Sequence, residues 1–239
     1  MNISPGNILF LDIETVPQHP SHSMLTEDWK ALWQKKADIL LRNNTTDTAE
    51  TIYERAGIYA EFGKIICISC GVLQSGGTSK KLVLKSFAGD DEKIILAGFT
   101  EMLNRWSPGQ QKYFCAHNGK EFDFPYICRR MVINCLPLPP MLNIAGKKPW
   151  DVPHIDTLEM WKFGDFKSFT SLSLLAGVLG IATPKDDIDG SMVADVYWKE
   201  RNLPRIVHYC QKDVVTVAQV YLRLVGETCI EADNIEIKE

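Results

Sequence analysis

The sequence predicts an α/β fold built on a mixed sheet, and three observations carry that expectation. Apolar runs of strand length and helical length follow one another in the order strand, strand, strand, helix, strand, helix, which reads as a meander followed by helical crossovers. The Gly-rich SGGTS at 75–79 joins the second and third runs as a hairpin. The chain of 239 residues is 45% hydrophobic and 23% charged, enough to bury one sizeable core without disulfides or a structural metal, so 1–239 is read as one domain.

The elements follow in order. NILFLDI (7–13) is the first strand, KIICISCGVL (64–73) the second and KKLVLKSF (80–87) the third. Between the first two lies a helical insertion, 18–62, with helical stretches at 27–42 and 48–60 split by the turn-like NNTTDT. A helix over 91–106 is spaced through Ile94, Ile95, Phe99 and Leu103, with Asp90 as its cap. KYFCAH (112–117) is a strand, followed by a loop and a helix over 125–134. LPLPPMLNIAGKKPWDVP holds five prolines and no periodicity, so it is a loop. HIDTL (154–158) is a short fifth strand, 171–180 and 190–200 are short helices, and Pro204 opens a long helix over 204–226. The acidic tail from Glu227 is expected to be loose.

The net charge of −4 argues against a broad non-specific nucleic-acid coat, but leaves room for a local basic groove around an acidic site. Lys147, Lys148, Lys162 and Lys167 are candidates for phosphate contacts there. No apolar run reaches the roughly 18–20 residues that span a bilayer, and MNISPGNILFLDIE lacks a basic leader, so no membrane and a cytoplasmic location are expected. Seven cysteines in mostly apolar settings suggest reduced core thiols. Cys67 and Cys70 form a CxxC, but within a strand they point to opposite faces, and no His cluster completes a zinc site.

Several acids do not behave like surface charge. Alternation in the first strand puts Ile8, Phe10, Asp12 and Glu14 on one face, so two carboxylates extend an apolar surface side by side. Like charges held that close call for a cation between them, and an oxygen-ligated divalent ion supplies one. In the long helix, Ile206, Cys210, Val214, Val217, Tyr221 and Val225 share a stripe, with Asp213 at its edge and Tyr209 one turn earlier. Asp123, two residues before Pro125 in HNGKEFDFP, has either the look of a helix N-cap or of a third such acid.

Taken together, FLDIET, HNGKEFDFP and YCQKD resemble, in order and spacing, the three motifs of the DEDD 3′–5′ exonucleases of the ribonuclease H-like superfamily. AEFGKIICIS, HIDTLEMW and DDIDGSMV are similar to the group related to the exonuclease domain of family-B DNA polymerases, so the likeness covers nearly the whole chain. The resemblance implies a sheet of about five strands flanked by helices. It implies that Asp12, Glu14, Asp123 and Asp213 bind two divalent cations, Mg²⁺ or Mn²⁺, for two-metal hydrolysis that releases nucleoside 5′-monophosphates from DNA 3′ ends, single-stranded above all. It further implies Thr15, Val16, Asn118 and Phe122 as substrate contacts, the last by base stacking; Phe122 as plain core packing fits its sequence setting equally well. Asp156 matches a recurrent position without a role that the sequence supplies. The fifth catalytic position is either a Tyr four residues before the last Asp or a His five before it, and this sequence has both. Tyr209 lies about 40° from Asp213 around the helix and His208 about 140°, which selects Tyr209. A ribonuclease D-like exoribonuclease and a non-catalytic nucleic-acid-binding adaptor on the same fold are the alternatives.

Overall fold

The structure, a computed structural model, describes residues 3–42, 46–76, 79–106, 111–165, 169–182 and 188–238. The centre of the SGGTS turn, the start of NNTTDT, the first two residues of DDIDGSMV and Lys167 lie outside the described residues. The strands are β1 (Ile8–Pro17), β2 (Gly63–Gly76), β3 (Ser79–Ala88), β4 (Tyr113–Ala116), β5 (Ile155–Asp156) and β6 (Ile235–Lys238). They form one mixed sheet in the order β5-β4-β1-β2-β3-β6. The helices are α1 (Glu27–Leu40), α2 (Glu92–Trp106), α3 (Asp123–Ile133), α4 (Thr157–Lys162), α5 (Leu172–Val178), α6 (Val193–Trp198) and α7 (Leu203–Leu224).

Strand alternation sorts β1 between two layers. Leu9, Leu11 and Ile13 pack with Phe99 of α2, Phe114 of β4 and Phe124 and Ile127 of α3. Ile8 and Phe10 pack on the other face with Val214, Val217 and Tyr221 of α7. Gly71 of β2 is what lets α7 come close, since a Cβ there would stand 2.7 Å from Leu84 Cδ2 and 3.3 Å from Val214 Cγ1.

The sheet has six described strands rather than five, because the tail is ordered against its edge. Ile235 and Ile237 alternate with Glu236 and Lys238, pairing parallel with Leu82–Lys85 of β3, and Lys81 forms an ion pair with Glu236. The expected strand at 154–158 shortens to two residues, because Asp156 turns from strand to N-cap of α4. The cap of α2 is Asp91, whose Oδ1 accepts from Lys93 N at 2.9 Å, while Asp90 accepts the Tyr197 hydroxyl at 2.6 Å. Ile94 faces solvent, and Val225 lies past the end of α7 and is exposed too.

The segment between β1 and β2 carries its own apolar cluster. Trp33 of α1 is fully buried among Ala37, Ala49, Ile52 and Tyr53, and its indole N–H donates to Ala49 O at 2.6 Å. The helix expected over 48–60 is instead turn and 3₁₀, Tyr53–Ile58. Thr48 and Thr51 exchange side-chain and backbone hydrogen bonds there, which compete with an α-helical ladder.

Candidate active site

Strand β1 runs on past its partner β4, which pairs only through Phe10↔Cys115. The freed carboxyl end of β1 is where open α/β sheets leave a crevice for ligands. Asp12 and Glu14 stand here on the α7 face, and their carboxylate oxygens lie within 4.8 Å of one another and of Cys210 Sγ. Glu14 is buried and Asp12 partly so. A register shift between Glu14 and Thr15 marks a bulge, a device that re-aims side chains beside sites.

Asp123 enters from α3. It is the first residue of that helix, Phe122 takes the N-cap position, and the carboxyl is buried. Asp213 enters from α7, one turn beyond Tyr209, whose hydroxyl is hydrogen-bonded to it. The charge of Asp213 is felt at Asp12, Glu14 and Asp123, so all four acids share one neighbourhood.

The electrostatics follow from burial. Desolvation, then the neighbouring Glu14, Asp213 and Asp123, pushes Asp12 well above the ordinary carboxylate range. Desolvation and Asp213 do the same to Glu14. Asp123 is raised to about 7 by desolvation, against which the backbone amides of Asp123 itself and of Ile13 work by hydrogen bonding to the charged form. Burial, with Asp213, Glu14 and Asp12 behind it, also holds the Tyr209 phenol far above its usual value. Among the described residues no basic side chain forms an ion pair with Asp12, Glu14 or Asp123. A donor set of buried, unneutralised carboxylate oxygens fits hard divalent cations such as Mg²⁺ or Mn²⁺.

The loop that delivers Asp123 is tied down by Asp156. That buried carboxylate accepts from four backbone amides: Asn118 N at 3.0 Å, Lys120 N at 3.1 Å, Leu158 N at 2.9 Å and Glu159 N at 3.4 Å. Asn118 takes a left-handed backbone, φ 62°, to present its amide. Gly119 follows where a Cβ would stand 2.4 Å from Ala116 Cβ. His117 holds the other side of the loop: its Nδ1 pairs with Thr157 Oγ1 at 2.9 Å and its Nε2 lies 2.8 Å from Thr170 O. Burial lowers its pKa, so a neutral ring that donates from Nε2 fits both contacts. Asp156 had a sequence signal, because Asp156-x-x-Glu159 has the spacing of a capping box. Its reach across to Asn118 and Lys120 had none.

The substrate candidates separate. Thr15, Asn118 and Phe122 keep partial exposure near the acids. Thr15 is hydrogen-bonded to the Tyr126 hydroxyl, and Phe122 packs on the Tyr126 ring at 5.4 Å between centroids. Val16 is corrected: it continues the acid face of β1, but Val193, Val196 and Tyr197 of α6 and Ile206 of α7 cover it, and its side chain is fully buried. His208 is exposed, on a different face of α7 from Asp213. Lys147 and Lys148 are exposed on the proline-rich loop, with Lys148 Nζ over the Trp150 ring at 5.2 Å from its centroid, and Lys162 is partly exposed at the end of α4.

A family described as a predicted 3′–5′ exonuclease related to the exonuclease domain of PolB matches residues 58–233. The chain belongs to this family. The matched span holds Asp123, Tyr209 and Asp213 of this member of the PolB-like family, whereas Asp12 and Glu14 precede it and are brought to them by the pairing of β1 with β2 and β4. The fold is similar to that of the family B DNA polymerase from the hyperthermophilic archaeon Pyrobaculum calidifontis, with a TM-score of 0.52 and 14% identity over 95% of this chain. The chain spans 26% of that polymerase's length. No curated protein matches the sequence. Among the described residues no helix is long and apolar enough to cross a membrane.

Proposed function

We propose that this member of the PolB-like family is a metal-dependent 3′–5′ exonuclease that hydrolyses the terminal phosphodiester of a DNA 3′ end, preferring single strands, and releases nucleoside 5′-monophosphates. The observation that carries the reading is the group of three acids, Asp12, Glu14 and Asp123, gathered at the end of β1 without a basic partner among the described residues and beside the Tyr209–Asp213 pair. Asp12, Glu14, Asp123 and Asp213 would hold the two divalent cations. Bound there, such cations would supply activation of a water for in-line attack and charge to offset the leaving 3′ oxygen.

The chain's own groups do the remaining work. Tyr209 keeps its proton at neutral pH, so its hydroxyl acts as a hydrogen-bond donor that orients, and not as a base. Asp156 fixes the 117–120 loop and with it the approach of Asp123. Partly exposed Phe122, Asn118 and Thr15 are placed to touch the terminal nucleotide, the aromatic ring by stacking that tolerates any base.

The test is digestion of single-stranded DNA labelled at the 3′ or the 5′ end, and of RNA of the same sequence, with Mg²⁺, Mn²⁺ or chelator. The expected result is immediate release of the 3′ label as a mononucleotide, a shortening ladder from the 5′-labelled strand, and no reaction in chelator. Degradation of RNA alone moves the substrate to the exoribonuclease reading. Inertness on every substrate with metal present would leave a binding protein.

A further inference from the structure

The cluster at the end of β1 contains sulfur as well as oxygen. Cys210, one residue after Tyr209 on α7, is fully buried and directed at the acids: its Sγ lies 3.3 Å from Asp12 Oδ2 and 3.4 Å from Asp12 O. Behind it stands Cys67 of β2, also fully buried, hydrogen-bonded to Cys210 and directly opposite Glu14 in the β1–β2 register. One oxygen each from Asp12 and Glu14 and the Cys210 sulfur lie within 4.8 Å of one another. Two carboxylates and one thiol are a donor set suited to zinc, which binds sulfur at about 2.3 Å and oxygen at about 2.0–2.2 Å. Those bond lengths put neighbouring ligand atoms about 3.5 Å apart in a tetrahedron, and the Asp12–Cys210 pair already has that separation.

We propose that Asp12, Glu14 and Cys210, with Cys67 supporting the Cys210 sulfur from behind, form a mixed oxygen–sulfur site that captures Zn²⁺ and displaces the hard cations, holding the nuclease inactive. The inference rests on the nuclease reading for its consequence, though not for the binding itself. Each thiol that ligates gives its proton to solvent, and no electron transfer is involved. Zinc favours sulfur and imidazole, whereas Mg²⁺ and Mn²⁺ gain little from a thiol. The ion that uses all the donors is therefore the wrong one for a reaction needing oxygen ligands and open positions.

The probe is Cd²⁺, which reports thiolate ligation by an ultraviolet charge-transfer band. The apo-protein is titrated with Cd²⁺, and the band is compared in wild type, Cys210→Ser and Cys67→Ser. The exposed Cys135 contributes equally to all three. A saturable band that is lost in Cys210→Ser, reduced in Cys67→Ser and displaced by Zn²⁺ supports the site. An identical band in wild type and Cys210→Ser, or none in wild type, overturns it. The second measurement is the ratio of Mg²⁺-supported nuclease rates with and without Zn²⁺, taken within each variant so that changes in basal rate cancel. Loss of a ligand should weaken Zn²⁺ inhibition by at least about 10–100-fold, the cost seen for outer-sphere partners alone. Equal sensitivity in wild type and both variants overturns the inhibitory role. A cadmium band without nuclease activity on any substrate would remove the nuclease reading and leave the metal site, and nuclease activity without the band would do the reverse. Should Cys210→Ser fail to fold, Cys67→Ser still decides.

Discussion

Two groups of buried acid lie on this sheet, and they have opposite surroundings. Glu92 of α2 is 6% exposed and fully partnered: Arg130 of α3 grips it with Nε at 2.8 Å and Nη2 at 2.6 Å, Ile65 N donates at 2.7 Å and Asn134 Nδ2 at 2.8 Å. Arg130 gives its remaining Nη1 to Ala60 O at 2.8 Å. This network ties α2, α3 and the start of β2 together, and it is complete. Glu14 and Asp123 are as deeply placed and Asp12 is partly buried beside them, yet no basic side chain answers them among the described residues, so desolvation and then the neighbouring acids raise their pKa values. Burial alone does not mark a functional carboxylate. The lack of a basic partner among the described residues is what sets the second group apart, because a charge held in low dielectric calls for compensation from some other source. Asp156 shows a third solution, compensation by four backbone amides, and it too is structural.

That contrast predicts opposite responses to neutralising substitutions. Asp12→Asn and Asp213→Asn should each abolish Mg²⁺-dependent cleavage while the folded protein survives, because each removes a charge from the metal-holding set. Turnover near wild type in either variant, measured on end-labelled DNA, would show the cluster to be a structural one like that of Glu92.

Arg130→Ala should behave in the converse way. It strands the Glu92 carboxylate, and breaking a buried pair on one side costs about 3–5 kcal/mol. Chemical denaturation should register that loss, with any remaining folded fraction still cleaving DNA. A change under about 1 kcal/mol would mean that water reaches Glu92 freely.

Within the uncompensated group, Tyr209→Phe should lower turnover roughly 10²-fold, the scale for a positioned proton-handling group, and leave binding of the strand nearly unchanged. His208→Ala, on the exposed side of α7, should do far less. A larger loss from His208→Ala would assign the positioning role to the imidazole.

The smallest expected effect is on metal-free stability. The folded pKa of Asp123 lies above its unfolded value, so the native protein binds more protons than the unfolded chain. Its contribution is full below about pH 4 and is lost as pH rises through about 7. In chelator, wild type should therefore lose stability relative to Asp123→Asn across that window, as read by paired melting curves. Mn²⁺ at about 100 times its dissociation constant should restore roughly 2.7 kcal/mol to wild type and much less to the variant. Parallel curves with the same Mn²⁺ response would place the ion elsewhere.

How much of this was legible beforehand differs from residue to residue. The period-2 run at Ile8–Glu14 put Asp12 and Glu14 on one face, and the helical phase of α7 put Tyr209 beside Asp213, because side-chain direction within one element follows from backbone geometry alone. The same rules drew the α7 stripe from Ile206 to Tyr221. They failed at Val16, which has the right phase but lies beneath α6, and they leave unstated the packing of partly exposed Phe122 on Tyr126. The second helix of the 18–62 segment was missed because Thr48 and Thr51 offered the backbone other partners.

Sequence by itself determined the order of the elements, the inward faces of β1 and α7 and the acids set apart from surface charge, since these depend on spacing along the chain. Tertiary structure alone decided the partners. It brought Arg130 to Glu92 across 38 residues and Cys210 to Asp12 across 198, carried the amides of Asn118 and Lys120 to Asp156, and laid the tail along β3 as a sixth strand. The physical reason is that a buried charge takes its meaning from what lies within a few ångströms of it, and those neighbours come from distant segments that no local pattern encodes.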